Sequence, residues 1–274
     1  MPAFLEQTPN KNMLLAALPS ADFERIAVNL ELKRMVLGEL LYAEGGTLSH
    51  IYFPTSCIVS LHYEMASGSS SEFSAVGNEG AVGLSLFLAD TTISSAALVQ
   101  TGGYAYRLAL PFLREEFSRA GATMKLMLRY TQAHLSQVSF QAICKSHHLM
   151  NKKLCTWILQ RLDRSPGREI TITQDLIADA LGVRREGINE AMMNLQLLGF
   201  ISCRRGHIAV LNRVGLENLA CECYGLVKKE FSRLLSNTQQ RQPVGELASS
   251  LRRLQKCTAP EPVLAGLCLP KITF

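Results

Sequence analysis

The sequence lacks an apolar run long enough to cross a membrane, and it lacks an N-terminal targeting pattern. A membrane-spanning helix needs about 20 consecutive apolar residues, and a secretory leader needs a charged segment followed by an apolar one. Neither pattern occurs in the 274 residues. We therefore expect a cytoplasmic protein with no membrane partner.

Paired metal-binding cysteines are also missing. None of the eight cysteines belongs to a C-x-x-C pair, and thiols stay free in a reducing compartment. Cys221 and Cys223 are the closest in sequence, but on one continuous helix their sulfurs would lie about 200° apart, which is a poor chelate. We therefore predict structural thiols, no metal and no cofactor.

The net charge of +5 is small, but it is unevenly distributed. Residues 1–144 carry 9 Lys and Arg against 12 Asp and Glu, whereas residues 145–233 carry 14 against 9. The length suffices for two domains. An acidic front half and a basic back half suit a sensor domain joined to a nucleic-acid-binding domain.

Short alternating apolar runs, broken by Gly, Pro and Ser, recur between residues 37 and 108. They predict an antiparallel β jelly roll, which we place at residues 1–122. Beyond Pro111 the apolar period becomes helical, so the predicted fold class is α+β. Residues 236–274 are rich in Gln, Ser, Pro and Arg, which favours a flexible tail.

A long helix is predicted at residues 123–148. Its apolar or small residues alternate in steps of three and four, as in a coiled coil. The positions are Leu128, Thr131, Leu135, Val138 and Ala142. This pattern favours dimerisation through the helix, and packing on the chain's own barrel is the alternative.

The spacing within residues 173–212 is typical of a winged helix-turn-helix. Thr173 can cap the first helix, Ala178 is small where the two helices cross, and Gly182 tolerates a left-handed turn. The second helix, residues 185–199, is expected to bury Ile188, Ala191, Met192, Leu195 and Leu198. Two strands joined by a basic turn follow. We assign residues 149–235 to this domain, with an extra helix at 214–235; an ordinary helical hairpin on a sheet is the alternative.

This order of parts resembles the catabolite activator protein family, the CRP/FNR-type bacterial transcription regulators. The resemblance spans residues 12–212 and is most specific in GVRRE (182–186) and in residues 38–42 and 51–53. It implies a cyclic-nucleotide-binding-like barrel and a homodimer that places two recognition helices on a two-fold symmetric site in double-stranded DNA. RNA polymerase and an unknown small-molecule effector are left open as further partners.

The resemblance also implies roles for individual residues. Arg185 and Glu186 match the family's Arg-Glu pair, in which Arg can bind guanine and Glu can accept from cytosine. Glu190 stands where the cAMP-responsive members have a second base-reading Arg, so we expect a different site sequence. The predicted base-reading residues are Arg185, Glu186, Asn189 and Glu190. The predicted phosphate contacts are Thr173, Arg184, Arg204, Arg205 and His207.

Residues 77–100 occupy the place of the family's phosphate-binding cassette. Leu84 replaces its ribose-binding Glu, and Ser94 replaces the Arg that neutralises the cyclic phosphate. The strongest anion contact is thereby lost. We do not expect a typical cAMP binder, and the candidate residues for another effector are Gly83, Leu84, Ser94 and Ser95.

Two other functions compete with DNA-binding regulation. A jelly-roll enzyme would need two or three His and a carboxylate on one metal, but His50 and His62 are scattered and no catalytic triad spacing is visible. A dimeric sensor or scaffold without DNA binding would not need Arg184 and Arg185 on an outward face. We therefore expect no enzyme, but a dimeric, sequence-specific DNA-binding transcription regulator whose barrel modulates the recognition helix 185–199.

Overall fold

Seven antiparallel strands of the described chain form two sheets in the front half. The computed structural model describes residues 8–66, 70–88, 93–164, 169–204 and 206–235. The sheet orders are β1-β7-β3 and β2-β6-β4-β5. The strands are β1 (Glu31–Met35), β2 (Leu40–Tyr42), β3 (His50–Pro54), β4 (Ile58–Glu64), β5 (Ser70–Val76), β6 (Ala96–Thr101) and β7 (Gly103–Ala109). The predicted sheet-rich front half is confirmed.

The core of this barrel consists of the inward residues of its strands, among them Ile51, Val59, Val99 and Leu108, which are all nearly inaccessible to solvent. Two details differ from the prediction. Strand β1 was not predicted, because its sequence, ELKRM, contains three charged residues and buries only its last side chain fully. Residues 80–82 belong to the alternating runs from which strands are predicted, but they make only a single bridge, between Tyr52 and Val82.

Short helices cover the barrel, and a long one leaves it. The helices are α1 (Met13–Ala16), α2 (Ser20–Ala27), α3 (Ser85–Leu88), α4 (Leu110–Ser118) and α5 (Ala122–His147). Helix α5 buries Leu126, Met127 and Tyr130 against the barrel, and the Tyr130 hydroxyl donates to the Ala81 carbonyl at 3.1 Å. No helix over the described residues is long and apolar enough to cross a membrane.

The back half contains the helix-turn-helix and a three-stranded sheet of order β8-β10-β9. Its elements are α6 (Met150–Arg164), β8 (Glu169–Thr171), α7 (Gln174–Leu181), α8 (Arg185–Leu197), β9 (Ile201–Arg204), β10 (His207–Val210), α9 (Arg213–Leu219) and α10 (Glu222–Leu235). A core of its own includes Trp157, Ile177, Ile188 and Leu195. The predicted helix-turn-helix is therefore present.

Two predictions for this half need correction, and a third concerns residues that the structure does not describe. The polar, Pro- and Gly-containing segment 163–169 predicts a linker from its composition, but Asp163 and Arg164 end α6 and Glu169 begins β8. Leu198 is not inward but 56% exposed, since it follows the last turn of α8. The proposed tail, residues 236–274, lies outside the described residues.

The predicted single helix at 214–235 is also wrong, since α9 and α10 are separate. Ala220 is extended, with ψ 158°, and the Cys221 N–H donates to Thr156 Oγ1 of α6 at 3.2 Å. That hydrogen bond replaces a helical one and holds the break. No Gly or Pro marks this position in the sequence, and the amphipathic pattern continues across it. The pattern therefore predicted one uninterrupted helix.

Candidate nucleic-acid interface

The turn between α7 and α8 has the geometry that its sequence predicts. Thr173 Oγ1 accepts from the Leu176 N–H at 3.3 Å and so caps α7. Gly182 is left-handed, with φ +65°, and a Cβ there would meet nothing within 4 Å. The glycine is therefore required by its backbone conformation and not by lack of space.

Helix α8 has one buried and one exposed face. Ile188, Ala191, Met192 and Leu195 are buried in the helix-turn-helix core. Of the residues predicted to read bases, three are exposed and one is half-buried; they are Arg185, Glu186, Glu190 and Asn189, respectively. All four lie away from the core, where a duplex in contact with α8 could meet them.

Arg185 already has a partner in the free chain. Its Nη1 lies 3.3 Å from Asp175 Oδ1 of α7, and both side chains are more than half exposed. An ion pair so exposed stabilises the fold by only about 0–1 kcal/mol. Arg185 can therefore exchange Asp175 for a base at little cost.

The wing supplies further exposed groups. Arg204 and His207 face each other at the ends of β9 and β10, and both are exposed. His207 Nδ1 lies 3.2 Å from Thr171 Oγ1 of β8. Arg184, the N-cap of α8, is exposed as well, whereas Arg205 lies outside the described residues.

Strand β8 forms the outer edge of the wing sheet and was missed in the sequence. It pairs with β10, with Ile170 opposite Ile208. Ile170 and Ile172 are buried, so the alternation of EITIT (169–173) carried the signal. The strand is only three residues long and was hidden by the polar, Pro- and Gly-containing segment before it.

The candidate effector residues lie in different surroundings within the described chain. Leu84 packs against the barrel core, Ser94 is exposed, and Ser95 hydrogen-bonds Tyr42, whose pKa is raised to about 12 by burial. A Cβ at Gly83 would lie 2.7 Å from Leu48. The structure therefore brings Ser95 to Tyr42 but leaves Ser94 in solvent.

A cavity lies between the barrel, α6 and α10. Its volume is about 550 Å³, and Glu79, Arg164, Tyr224 and Phe231 are among its lining residues. This volume is within the range of small-molecule pockets, about 300–1,000 Å³. Sequence reasoning did not find it, because its walls come from segments that are far apart in the chain.

A buried ion pair joins the barrel to the first helix of the back half. Arg161 Nη2 of α6 lies 2.8 Å from Glu72 Oε1 of β5, with both side chains under 5% exposed. Gln100 Nε2 donates to the same carboxylate at 3.0 Å, as does the Ser60 hydroxyl. The Arg161 guanidinium also lies 4.8 Å from the Trp157 ring centroid. Helix α6 thus contacts the barrel through an ion pair that is shielded from water.

The outward face of α5 carries exposed apolar side chains. Leu128 is 47% and Leu135 65% exposed, Thr131 and Val138 are half-buried, and Ala142 is exposed. Of the two arrangements open in the sequence, packing of this stripe on the chain's own barrel is therefore not observed. As far as the described residues show, this face is open to another molecule.

The six described cysteines are free thiols, as predicted. The expectation that Cys221 and Cys223 point apart is wrong, because Cys221 precedes α10 instead of lying within a continuous helix. The fold brings both close to Cys144 and His148. His50 and His62 are not members of this group, which is the only one of its kind among the described residues.

Comparison with known proteins agrees with this geometry. Residues 152–219 match the family model of the Crp-like helix-turn-helix domain. The structure of FixK2 from Bradyrhizobium japonicum is similar over 70% of this chain and 98% of its own, with TM-score 0.61 and 15% identity. TTHB099, a CRP-family transcriptional regulator from Thermus thermophilus, is similar over 69% and 96%, with TM-score 0.57 and 18% identity.

A third similar structure is the c-di-GMP responsive global regulator CLP of Xanthomonas campestris, with TM-score 0.54 and 16% identity over 70% of this chain and 99% of that one. A comparison with curated protein sequences gives no match. The chain thus has the fold of CRP/FNR-type regulators and contains a Crp-like helix-turn-helix domain. The resemblance seen in the sequence is confirmed at this level.

Proposed function

We propose that this protein is a homodimeric, sequence-specific DNA-binding transcription regulator. In this proposal α8 enters the major groove, the wing contacts the phosphate backbone, and α5 pairs with its copy in a second chain. The barrel controls the relative placement of the two recognition helices. The protein acts through binding and not through catalysis.

The observation that carries the proposal is the two-faced character of α8. Arg185, Glu186 and Glu190 are exposed on one side, while the other side is buried in a Crp-like helix-turn-helix core. Arg can donate two hydrogen bonds to guanine, and Glu can accept one from cytosine. Arg184 at the N-cap of α8 and Arg204 at the end of β9 are exposed as well, and such cations contribute affinity through phosphate.

The proposed dimer is supported by the outward face of α5. Exposed Leu128 and Leu135 lie two helical turns apart on a 26-residue helix, which is the spacing of a coiled-coil contact. Two chains related by two-fold symmetry would bury these side chains against each other. Such a dimer would present two copies of α8 to a two-fold symmetric DNA site.

The proposed control by the barrel rests on the contact between β5 and α6. The ion pair between Arg161 and Glu72 couples a movement of the strand to a movement of the helix-turn-helix. A small molecule can shift such a movement only by binding one arrangement better than the other. We propose that this molecule is not cAMP, because the candidate segment presents Leu84 and Ser94 where a ribose carboxylate and a phosphate-binding Arg would be needed.

Selection from a random duplex library tests the function. The full-length protein should enrich a two-fold symmetric sequence, and its affinity should fall steeply as salt rises, because phosphate contacts release counterions. The Arg114→Ala variant serves as a control, since Arg114 is exposed on α4 of the barrel. Failure to enrich any motif, or an affinity that ignores salt, would contradict the proposal.

A further inference from the structure

Four potential metal ligands meet where the end of α5 contacts the start of α10. Cys144 lies in the last turn of α5, His148 directly follows that helix, Cys221 precedes α10, and Cys223 lies in its first turn. Their ligand atoms all lie within 4.8 Å of one another. The three cysteines are buried, with at most 8% exposure.

Two of the distances between these atoms match those of a tetrahedral zinc site. Zn–S bonds of about 2.3 Å and Zn–N bonds of about 2.0 Å place tetrahedral ligand atoms roughly 3.5–3.8 Å apart. The Cys144 and Cys221 sulfurs are 3.5 Å apart, and Cys223 Sγ is 3.7 Å from His148 Nδ1. A disulfide would require about 2.05 Å, so the cysteines are arranged as separate thiols.

The surrounding groups orient the ligands as a metal site requires. Glu222 Oε1 lies 3.2 Å from His148 Nε2, so Nε2 can donate its proton there and leave the Nδ1 lone pair directed at the cysteines. Thr156 Oγ1 lies 3.0 Å from Cys221 Sγ.

We propose that Cys144, His148, Cys221 and Cys223 bind one Zn²⁺ in a closed tetrahedral site. Thiolate and imidazole ligands favour Zn²⁺ over Mg²⁺ or Ca²⁺. Each cysteine releases its proton on binding, so three thiolates and the ion carry a net charge of −1. With His148 in the fourth position no site remains for substrate, and the metal has a structural role.

The proposed metal site lies where α5, α6 and α10 come together. The ion would join the C-terminal end of α5 to α10, and α6 begins at Met150, two residues after His148. The metal would therefore fix the joint between the long helix and the helix-turn-helix domain. This inference does not depend on the proposed DNA binding, because its readouts are metal content and spectroscopy.

The first test measures metal in the full-length, untagged protein purified with a phosphine reductant. We expect one zinc per chain by atomic emission. After exchange with Co²⁺, we expect intense tetrahedral absorption together with thiolate-to-cobalt charge-transfer bands. A zinc-free protein that also fails to compete with a chelating dye for added Zn²⁺ would overturn the proposal, as would the weak spectrum of octahedral cobalt.

Matched variants assign the ligands. Cys223→Ser and His148→Ala should lose the metal, whereas Cys203→Ser on β9 and His147→Ala, next to the site, should keep it. Equal metal content in all four would refute the assignment. A disulfide between Cys144 and Cys221 in protein taken directly from cells would refute it too.

A further variant changes a neighbour of the ligands instead of a ligand itself, so that loss of metal can be separated from loss of folding. Glu222 is 69% exposed, so Glu222→Gln should leave the fold intact and weaken Zn²⁺ binding about 10–100-fold, the usual effect of removing a carboxylate that orients a histidine ligand. Glu24→Gln, an exposed carboxylate on α2, is the control and should bind as the wild type. Identical affinities of the two variants would contradict the role of His148.

Discussion

At the scale of single residues, Arg185 and Arg204 are both exposed cations, but they occupy different places on the helix-turn-helix domain. Arg185 begins α8, and Arg204 ends β9 in the wing. We expect Arg185→Ala to reduce discrimination at one base position of each half-site by about 1–3 kcal/mol. Arg204→Ala should weaken all duplexes alike and lower the salt dependence. Titrations against single-base variants of the selected duplex measure both effects.

The Arg114→Ala variant removes the same charge from the barrel and should change neither quantity. If the Arg185 and Arg204 variants lose affinity in the same way on every duplex, the assignment of base and phosphate contacts is wrong.

Residue positions on α7 and α8 could be predicted because they depend on local rules. Thr173 caps a helix whichever domain surrounds it, and Gly182 is needed wherever the turn is left-handed. The geometry of Cys221 could not be predicted in this way. It depends on a hydrogen bond to Thr156, a contact between two helices that no period in the sequence records.

At the scale of elements, α6 is joined to the barrel by the ion pair of Arg161 with Glu72. Arg161→Met leaves a buried carboxylate without its counter-charge and should lower the free energy of unfolding by about 3–5 kcal/mol. Replacing both partners, in Arg161→Met with Glu72→Leu, should cost less than the single change. Urea denaturation followed by circular dichroism measures the free energy of unfolding of the wild type, the single variant and the double variant.

Arg107→Met is the matched control, since Arg107 and Glu31 form an ion pair at the surface with exposures of 35% and 60%. Its cost should be about 0–1 kcal/mol. Equal costs at Arg107 and Arg161 would show that the buried pair does not hold α6 on the barrel.

Helix α5 is the element on which dimerisation depends. Leu135→Asp places a charge in the proposed seam but lies on an exposed surface of the single chain, with 65% exposure. We therefore expect a folded monomer in analytical ultracentrifugation, and a dimer for the wild type.

The control for this change is Val28→Asp at the end of α2, an apolar position that is even more exposed, at 82%. It should remain dimeric. A monomeric wild type, or a dimeric Leu135→Asp variant, would contradict the proposed role of α5.

At the scale of the whole molecule, the order of barrel, long helix and helix-turn-helix could be predicted because each part has its own hydrophobic period. Strands β1 and β8 were missed because charged or very short edge strands carry little of that period. The contacts between parts were also beyond prediction. Glu72 and Arg161 are 89 residues apart in the chain, and neither shows in sequence that it is buried.

The same limit explains why the candidate sites differ in how well they could be predicted. Arg184, Arg185 and Glu186 are adjacent in sequence and exposed, so they could be proposed as DNA contacts directly. The cysteine and histidine group is assembled from the ends of two helices that are distant in sequence. The cavity between the barrel and α10 is also lined by segments that are far apart in the chain. Only the folded chain brings such residues together.

The most direct test of the central claim is the ratio of affinities for the selected duplex and for a scrambled duplex of the same composition, measured with the full-length protein near physiological salt. We expect the selected duplex to bind at least about 10³-fold more tightly, as sequence-specific regulators do, with two chains on each duplex. A ratio close to one would show that the exposed face of α8 does not read DNA sequence.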